Sequence, residues 1–333
     1  MARFRMPAEW EPHEATWIAW PREKLDWPGK FAPIPWLYSE IVRHLARVER
    51  VRILTEEESR VRGILKKCGA NLSAVEFFRC ATNRSWTRDY GPLFVRNGAP
   101  AIVHWRFNGW AKYANYQCDA AVPARIARHL NIPLVETGLV LEGGAIDVNG
   151  AGKLLATEEC LLSDVQARNP GVSRRQLERA FQKYLGANEV IWLGRGIAGD
   201  DTHGHIDDLA RFTSTSTVVT AIERDKSDPN YEPLRENLAR LKSRTDLRVV
   251  TLPMPEPVYF NGQRLPASYA NFYIANGIVL APVFGDKNDR AALNILSRLF
   301  PDREVIGIYC RDLVLGLGTL HCMTQQQPAY GIG

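Results

Sequence analysis

The sequence predicts an α/β fold of five helix-plus-strand modules closed into a pseudo-symmetric ring, with residues 1–333 forming one domain. Three observations lead there. A helical apolar pattern followed by a short β-branched run recurs five times, and the last four copies start about 55 to 58 residues apart. Each copy leaves an apolar face that only a neighbouring copy can cover, and five such units bury it by closing on themselves. The 333 residues, 45% hydrophobic and 24% charged, suffice for a large core. Pattern alone also leaves a generic open α/β sheet standing.

The first module is PWLYSEIVRHLARVERVRILT from Pro35, where Leu37, Ile41, Leu45 and Val48 recur at helical spacing before a strand at 51–54. The second, DAAVPARIARHLNIPLVET from Asp119, puts Pro123 in an early helical turn, where its missing N–H costs little. The third, RRQLERAFQKYLGANEVIWLG from Arg174, stops its helix at Gly186 ahead of a strand at 190–193. In the fourth, YEPLRENLARLKSRTDLRVVTLP from Tyr231, Leu234, Leu238 and Leu241 form the stripe and 249–252 the strand. The fifth, DRAALNILSRLFPDREVIGIY, starts its helix at Asp289 and places a strand at 305–308. The first interval is longer than the others, and its surplus is assigned to residues 80–116.

Composition narrows the function classes. Net charge is +5, but Lys and Arg are scattered through helical segments, which describes a solvated surface and not a nucleic-acid face. The six cysteines have no close paired spacing, so neither a disulfide framework nor a zinc ribbon is expected. The start, MARFRMPAEW, lacks the apolar core of a secretion signal, and the longest uncharged apolar stretch, 273–284, is too short to cross a bilayer. A cytoplasmic protein without a membrane partner is expected; assembly into a homo-oligomer is left open.

The densest chemistry is GDDTHGHIDD at 199–208, four carboxylates and two imidazoles punctuated by the turn-forming Gly199 and Gly204. Such crowding is costly unless a cation, a metal or a shared proton relieves it. A metal set of His203, His205 and Asp207 is conceivable, but such sites need at least three well-placed ligands and usually more histidines. No metal is expected; His203 reads as structural and His205 as the catalytic imidazole. Cys322 follows Gly316, Leu317 and Gly318 and sits beside His321 in a polar stretch, a setting for a reactive thiol as well as for a small buried hydrophobe. Cys68, Cys80, Cys118, Cys160 and Cys310 lack that setting and read as structural. Asp89 in WTRDYGP is either a pocket acid or a turn acid paired with Arg88. Glu142 in LEGGAIDVNG is either an orienting acid or a buried cap, and Trp86 and Trp110 are either core aromatics or walls for a cation.

Taken together these segments resemble the agmatine deiminase family, relatives of the bacterial peptidyl-arginine deiminases in the guanidine-modifying superfamily. The resemblance is carried by MPAEWEPHEATWIAWP at 6–21, WTRDYGP, FNGWAKY, LEGG, LLATEECLL at 154–162, GDDTHGHIDDLARF and LHCMTQQQP. Their number and order, from near the first residue to near the last, make it specific. It implies a five-bladed α/β propeller, the pentein fold. It also implies Cys322 as nucleophile, His205 as general acid/base and Glu142 as the acid that orients the imidazole. Asp89 and Asp207 would grip the guanidinium, Trp86 would line the pocket, and Asn271 of YANFY would contact substrate, with Trp110 kept as a substrate wall on its residue type alone.

A guanidinium is planar, stays protonated, and presents a fork of donors that suits facing carboxylates. Its carbon is a poor electrophile, so a thiolate is required, and the bound cation would itself favour ionised sulfur. No cofactor has a task in such chemistry. The resemblance implies agmatine as substrate: Asp201 could face a distal ammonium, whereas relatives that act on peptidyl C-terminal arginine carry an arginine pair where this chain has FNGWAKY. His203, where many relatives carry Asn or Asp, and Lys112 depart from the pattern. The rival readings are an arginine or peptidyl-arginine deiminase, a metal-dependent hydrolase, and a non-catalytic propeller that binds a partner.

Overall fold

The repeat appears in a computed structural model, which describes residues 4–330. Each of five sheets has the same order: an inner strand antiparallel to a central strand, a helix, and an outer strand parallel to the central one. In the second module these are Leu93–Asn97, Ala99–Arg106, the helix Val122–Leu130 and Leu134–Val140. The third uses Asp147–Val148, Lys153–Thr157, the helix Arg174–Leu185 and Glu189–Leu193. The fourth uses Ala210–Phe212, Thr217–Ile222, the helix Tyr231–Lys242 and Arg248–Pro253. The fifth uses Tyr273–Ala275, Ile278–Val283, the helix Asp289–Leu299 and Glu304–Tyr309.

The first module closes the ring. Its central strand His13–Ala19 pairs in parallel with Arg50–Thr55 across the helix Ile34–Leu45, but its inner strand, Gln325–Pro328, comes from the far end of the chain. Trp17 opposite Gln325 and Thr16 opposite Gln326 set that register. The chain ends are thereby tied together, and an open sheet is ruled out.

Local signals act as expected at the helix ends. Pro123 lies in the first turn of its helix, the third helix is capped reciprocally by Ser173 and Gln176, and Gly186 ends it in the left-handed region at φ 74°. One expectation is corrected. The surplus of the first interval is not residues 80–116, which hold the regular strands Leu93–Asn97 and Ala99–Arg106. It is the helix Glu58–Lys67 and the strand Val75–Arg79, which add a fourth strand to the first sheet. A unit read as helix plus one strand omits the hairpin that precedes the helix in the last four modules, so a regular hairpin looked like an insertion.

Helix stripes pack on the sheets: Tyr38, Ile41, Val42 and Leu45 of the first helix are fully buried, and so are Leu234 and Leu241 of the fourth. Among the described residues no helix is long and apolar enough to cross a membrane.

Candidate active site

Every module brings its chemistry to one place, the connection entering its inner strand. Asp89 precedes Leu93–Asn97, Glu142 precedes Asp147–Val148, and His205 and Asp207 precede Ala210–Phe212. Asn271 precedes Tyr273–Ala275, and Cys322 precedes Gln325–Pro328. Pseudo-symmetry therefore gathers residues far apart in sequence around the centre of the ring.

Close backbone approach makes this possible. Asp89 lies on the single turn Thr87–Tyr90, fastened to the cysteine loop by Arg88 N–H donating to the Cys322 carbonyl at 3.0 Å. Gly144 donates its N–H to Asp89 Oδ1 at 3.0 Å. A Cβ there would stand 2.6 Å from His205 Nδ1 and 2.8 Å from Asp89 Oδ1, so no side chain fits. At Gly318 a Cβ would stand 2.9 Å from the Trp86 ring and 3.0 Å from the Cys322 Cβ.

The result is a cavity of about 350 Å³ lined by Trp86, Trp110, Asp89, Tyr113, Asp201 and Cys322 among others. At its base Asp89 Oδ2 accepts from Trp110 Nε1 at 2.8 Å, and Asp89 Oδ1 lies 3.7 Å from His205 Nδ1. The opposite nitrogen, Nε2, lies 3.8 Å from Glu142 Oε2, an ion-pair distance and longer than a hydrogen bond. The other Glu142 oxygen accepts from Arg168 Nε at 2.9 Å. The Cys322 Sγ is 3.8 Å from Asp207 Oδ2 and accepts from Asn271 Nδ2 at 3.1 Å. Asn271 is fixed in turn, its Oδ1 accepting from Thr319 Oγ1 at 2.7 Å and from His321 N at 3.0 Å. It thus holds the thiol from behind and does not line the open cavity.

Four buried atoms of these residues have no hydrogen-bond partner: Asp207 Oδ1, Glu142 Oε2 and both ring nitrogens of His205. Orphaned polar atoms are costly unless a ligand satisfies them. Two buried acids facing an imidazole and a thiol suit a planar cation with many donors.

Electrostatics separates the roles. Burial lifts the Asp89 carboxyl to about 6, with Asp207 and Glu142 adding repulsion and His205 opposing them. Burial also works upward on Asp207, but His321, His205 and Arg211 overcome it and hold it below the usual range. Glu142 sits at about 2, because Arg168 and His205 outweigh its burial. Burial opposes protonation of His205, yet Asp89, Cys160 and Glu142 raise it well above an ordinary imidazole. Burial pushes the Cys322 thiol well up, and Asp207, Asp208 and Asp89 push it further. Without a cation beside it, this sulfur keeps its proton.

The four acids of GDDTHGHIDD have separate fates. Asp200 caps the turn, accepting from the backbone of Thr202 and Gly204 at 2.7 Å each. Asp201 reaches the rim, where Lys112 and the Tyr113 hydroxyl hold it. Asp207 lies behind the cavity base against Cys322, and Asp208 accepts from Asn271 Nδ2 at 3.0 Å, its carboxyl raised well above the usual range by burial and by Asp207. His203 turns away, its Nε2 lying 3.3 Å from Ser163 Oγ. Among the described residues the one group with metal-site spacing is Glu142, Cys160 and His205, and Arg168 already neutralises that Glu.

Several participants had no signal of their own in the sequence. Arg168 fastens Glu142, and Cys160, expected to be purely structural, lies against His205. His321 hydrogen-bonds Asp207 at 2.7 Å, and Glu9 hydrogen-bonds His321 at 2.7 Å. Arg84, paired with Asp26 and stacked 4.2 Å from the Tyr113 ring centre, adds a second rim cation beside Lys112. Cys160 lay within LLATEECLL and Glu9 within MPAEWEPHEATWIAWP, but nothing in either segment indicated which residue faced the site.

Five inner connections that meet around a thiol, an imidazole and facing acids define a pentein of the guanidine-modifying kind. The chain belongs to the Porphyromonas-type peptidyl-arginine deiminase family, whose model it matches over residues 5–328. An agmatine deiminase of Medicago truncatula is 36% identical over 367 aligned positions, covering 98% of this chain and 96% of that protein. The solved agmatine deiminase of Enterococcus faecalis superposes at a TM-score of 0.91 with 31% identity, covering 98% of this chain and 96% of its own. A C. jejuni agmatine deiminase solved with substrate bound also gives 0.91, with 32% identity over 97% of this chain and 96% of its own.

Proposed function

We propose that this protein hydrolyses agmatine to N-carbamoylputrescine and ammonia through a covalent intermediate on Cys322. The observation that carries the reading is the buried Asp89–Asp207 pair with a thiol 3.8 Å from one of its oxygens and His205 3.7 Å from the other acid. The similarity to agmatine deiminases over nearly the whole chain supports it.

Asp89 and Asp207 bind the two sides of the guanidinium fork, and Trp86 and Trp110 flank it and its chain. Arrival of the cation offsets the three carboxylates that keep sulfur protonated, so the Cys322 proton is released to solvent and the thiolate forms next to the carbon it attacks. A carbon–sulfur bond forms, and His205 gives a proton to the departing nitrogen as the carbon–nitrogen bond breaks and ammonia leaves. The amidino-thioether remains on sulfur. His205, held by Glu142, then takes a proton from water as the oxygen adds to carbon. The carbon–sulfur bond breaks, the hydroxyl proton of the collapsing adduct passes to the departing sulfur, and the ureido product is neutral, so it loses its attraction to the acid pair.

At the rim, Asp201 is the acid for the distal ammonium. The rim cations that could meet an arginine carboxylate are already engaged, Arg84 by Asp26 and Lys112 by Asp201. A turnover screen of agmatine, free arginine and arginyl peptides, reading ureido product, tests the assignment. Agmatine should lead by at least tenfold in kcat/KM; a lead for arginine or a peptide overturns it.

A further inference from the structure

Glu9 and His321 take no part in the steps above, yet they meet directly beneath Asp207 from positions 312 residues apart. His321 Nδ1 lies 2.7 Å from Asp207 Oδ2, and its Nε2 lies 2.7 Å from Glu9 Oε2. All three side chains are at most 5% exposed. A neutral imidazole has one N–H, so two carboxylates at such distances require either hydrogens on both nitrogens or a proton on one acid.

The surroundings of Glu9 decide between these. Its Oε1 accepts from the Ile274 N–H at 2.8 Å and faces Arg211 Nη2 at 3.0 Å, while its Oε2 also accepts from Arg88 Nη2 at 3.2 Å. Ile274, Arg88 and His321 hydrogen-bond that carboxyl and the Arg211 guanidinium stands against it, surroundings that suit the ionised form. Burial works against its ionised form, but the guanidiniums of Arg211 and Arg88 favour it. His205 and Arg211 likewise favour ionised Asp207. The protons therefore belong to the ring.

We propose that His321 is clamped as an imidazolium between Glu9 and Asp207 and acts as a positioning residue, an internal counter-ion that fixes Asp207 with its free Oδ1 turned toward the guanidinium. This rests on Asp207 being one of the two acids that take the substrate. The clamp answers a difficulty of the site: Asp89 and Asp207 have one cationic imidazole, His205, to share, and an acid without its own counter-ion would capture a proton and lose its grip. With His321 on one oxygen, Asp207 stays charged between turnovers, and its second oxygen, Oδ1, remains buried and unpartnered. Glu9 is also where the ring closes electrostatically, since Arg88, Arg211, Ile274 and His321 reach it from four different modules.

Two measurements test this, and one of them needs no substrate. In ¹⁵N-histidine NMR of the wild-type protein, the His321 resonances, assigned by their loss in His321→Gln, should report hydrogens on both ring nitrogens at neutral pH. A single-tautomer neutral ring overturns the proposal, whatever the substrate proves to be. In kinetics, His321→Gln should lower kcat/KM for agmatine by roughly 10- to 150-fold, the span of one charge-assisted hydrogen bond, chiefly through KM. Below the limb set by Asp89 its pH profile should fall more steeply than that of the wild type, because Asp207 without its cation also takes up a proton there. The other charged groups near the ring, Arg88, Arg211, Asp147 and Cys322, are unchanged in that variant. Glu9→Gln should show a smaller loss, and the double variant should be no worse than His321→Gln alone. A normal KM with an unchanged pH profile in folded His321→Gln overturns the proposal. If that variant does not fold, assignment by Glu9→Gln and the NMR result decide. Agmatine failing as a substrate of the wild type would refute the functional reading and leave the NMR result standing.

Discussion

Replacing Asp207 by Asn should make the enzyme worse and its cysteine better. The Cys322 sulfur lies 3.8 Å from Asp207 Oδ2 in a buried site. At an effective dielectric of about 20, a unit charge at that distance disfavours the thiolate by about 4 kcal/mol, or about three pKa units. His321 on the same oxygen cancels part of that, so a fall of roughly one to three units is expected on removing the charge. A less basic thiolate is also less nucleophilic, and the net gain in alkylation rate at neutral pH becomes roughly 3- to 30-fold. The assay is iodoacetamide labelling of Cys322 against pH in wild type and Asp207→Asn, without substrate, beside agmatine turnover. Faster labelling with turnover lost by orders of magnitude is the expected pair. Unchanged or slower labelling would refute the idea that the acids keep the sulfur protonated until a cation arrives.

Other outcomes follow from the same geometry. Asp89 must be ionised to bind a guanidinium, and its carboxyl is lifted to about 6, so kcat/KM should fall as pH drops through that value; a profile flat well below it contradicts the assignment. Gly144→Ala would drive a Cβ to 2.6 Å from His205 Nδ1. Displacing that ring by a fraction of an ångström should cost about 100-fold in kcat/KM with the fold retained by circular dichroism. Lys112, 41% exposed, competes with the substrate amine for Asp201. Lys112→Ala should therefore improve kcat/KM for agmatine roughly two- to fivefold, the worth of an exposed ion pair, and leave an alkylguanidine without the amine unaffected. Equal effects on both compounds would remove Asp201 from ammonium recognition.

The fold was legible because each module carries its own signal: the stripe Leu234, Leu238 and Leu241 and the punctuation at Pro123 and Gly186 are local facts. The hairpins were not, because inner strands such as Asp147–Val148 and Ala210–Phe212 are too short to show alternation. Among site residues, Cys322, His205, Asp89 and Glu142 stand in distinctive motifs, and the ring brings them together. What stayed hidden was the support around them. Four acids in GDDTHGHIDD look alike in sequence; only the turn at Gly199 and Gly204, both with positive φ, sends Asp200 to a cap, Asp201 to the rim and Asp207 behind the base. Arg168 and Glu9 act across 26 and 312 positions, and no local pattern encodes such a pairing.

The covalent step is open to direct observation. Wild-type protein mixed with excess agmatine and quenched in acid during steady turnover should yield a peptide containing Cys322 that is heavier by agmatine less ammonia, and the adduct should vanish as substrate is consumed. Turnover that proceeds with no mass change on that peptide, or that survives Cys322→Ser, would contradict the account at its root.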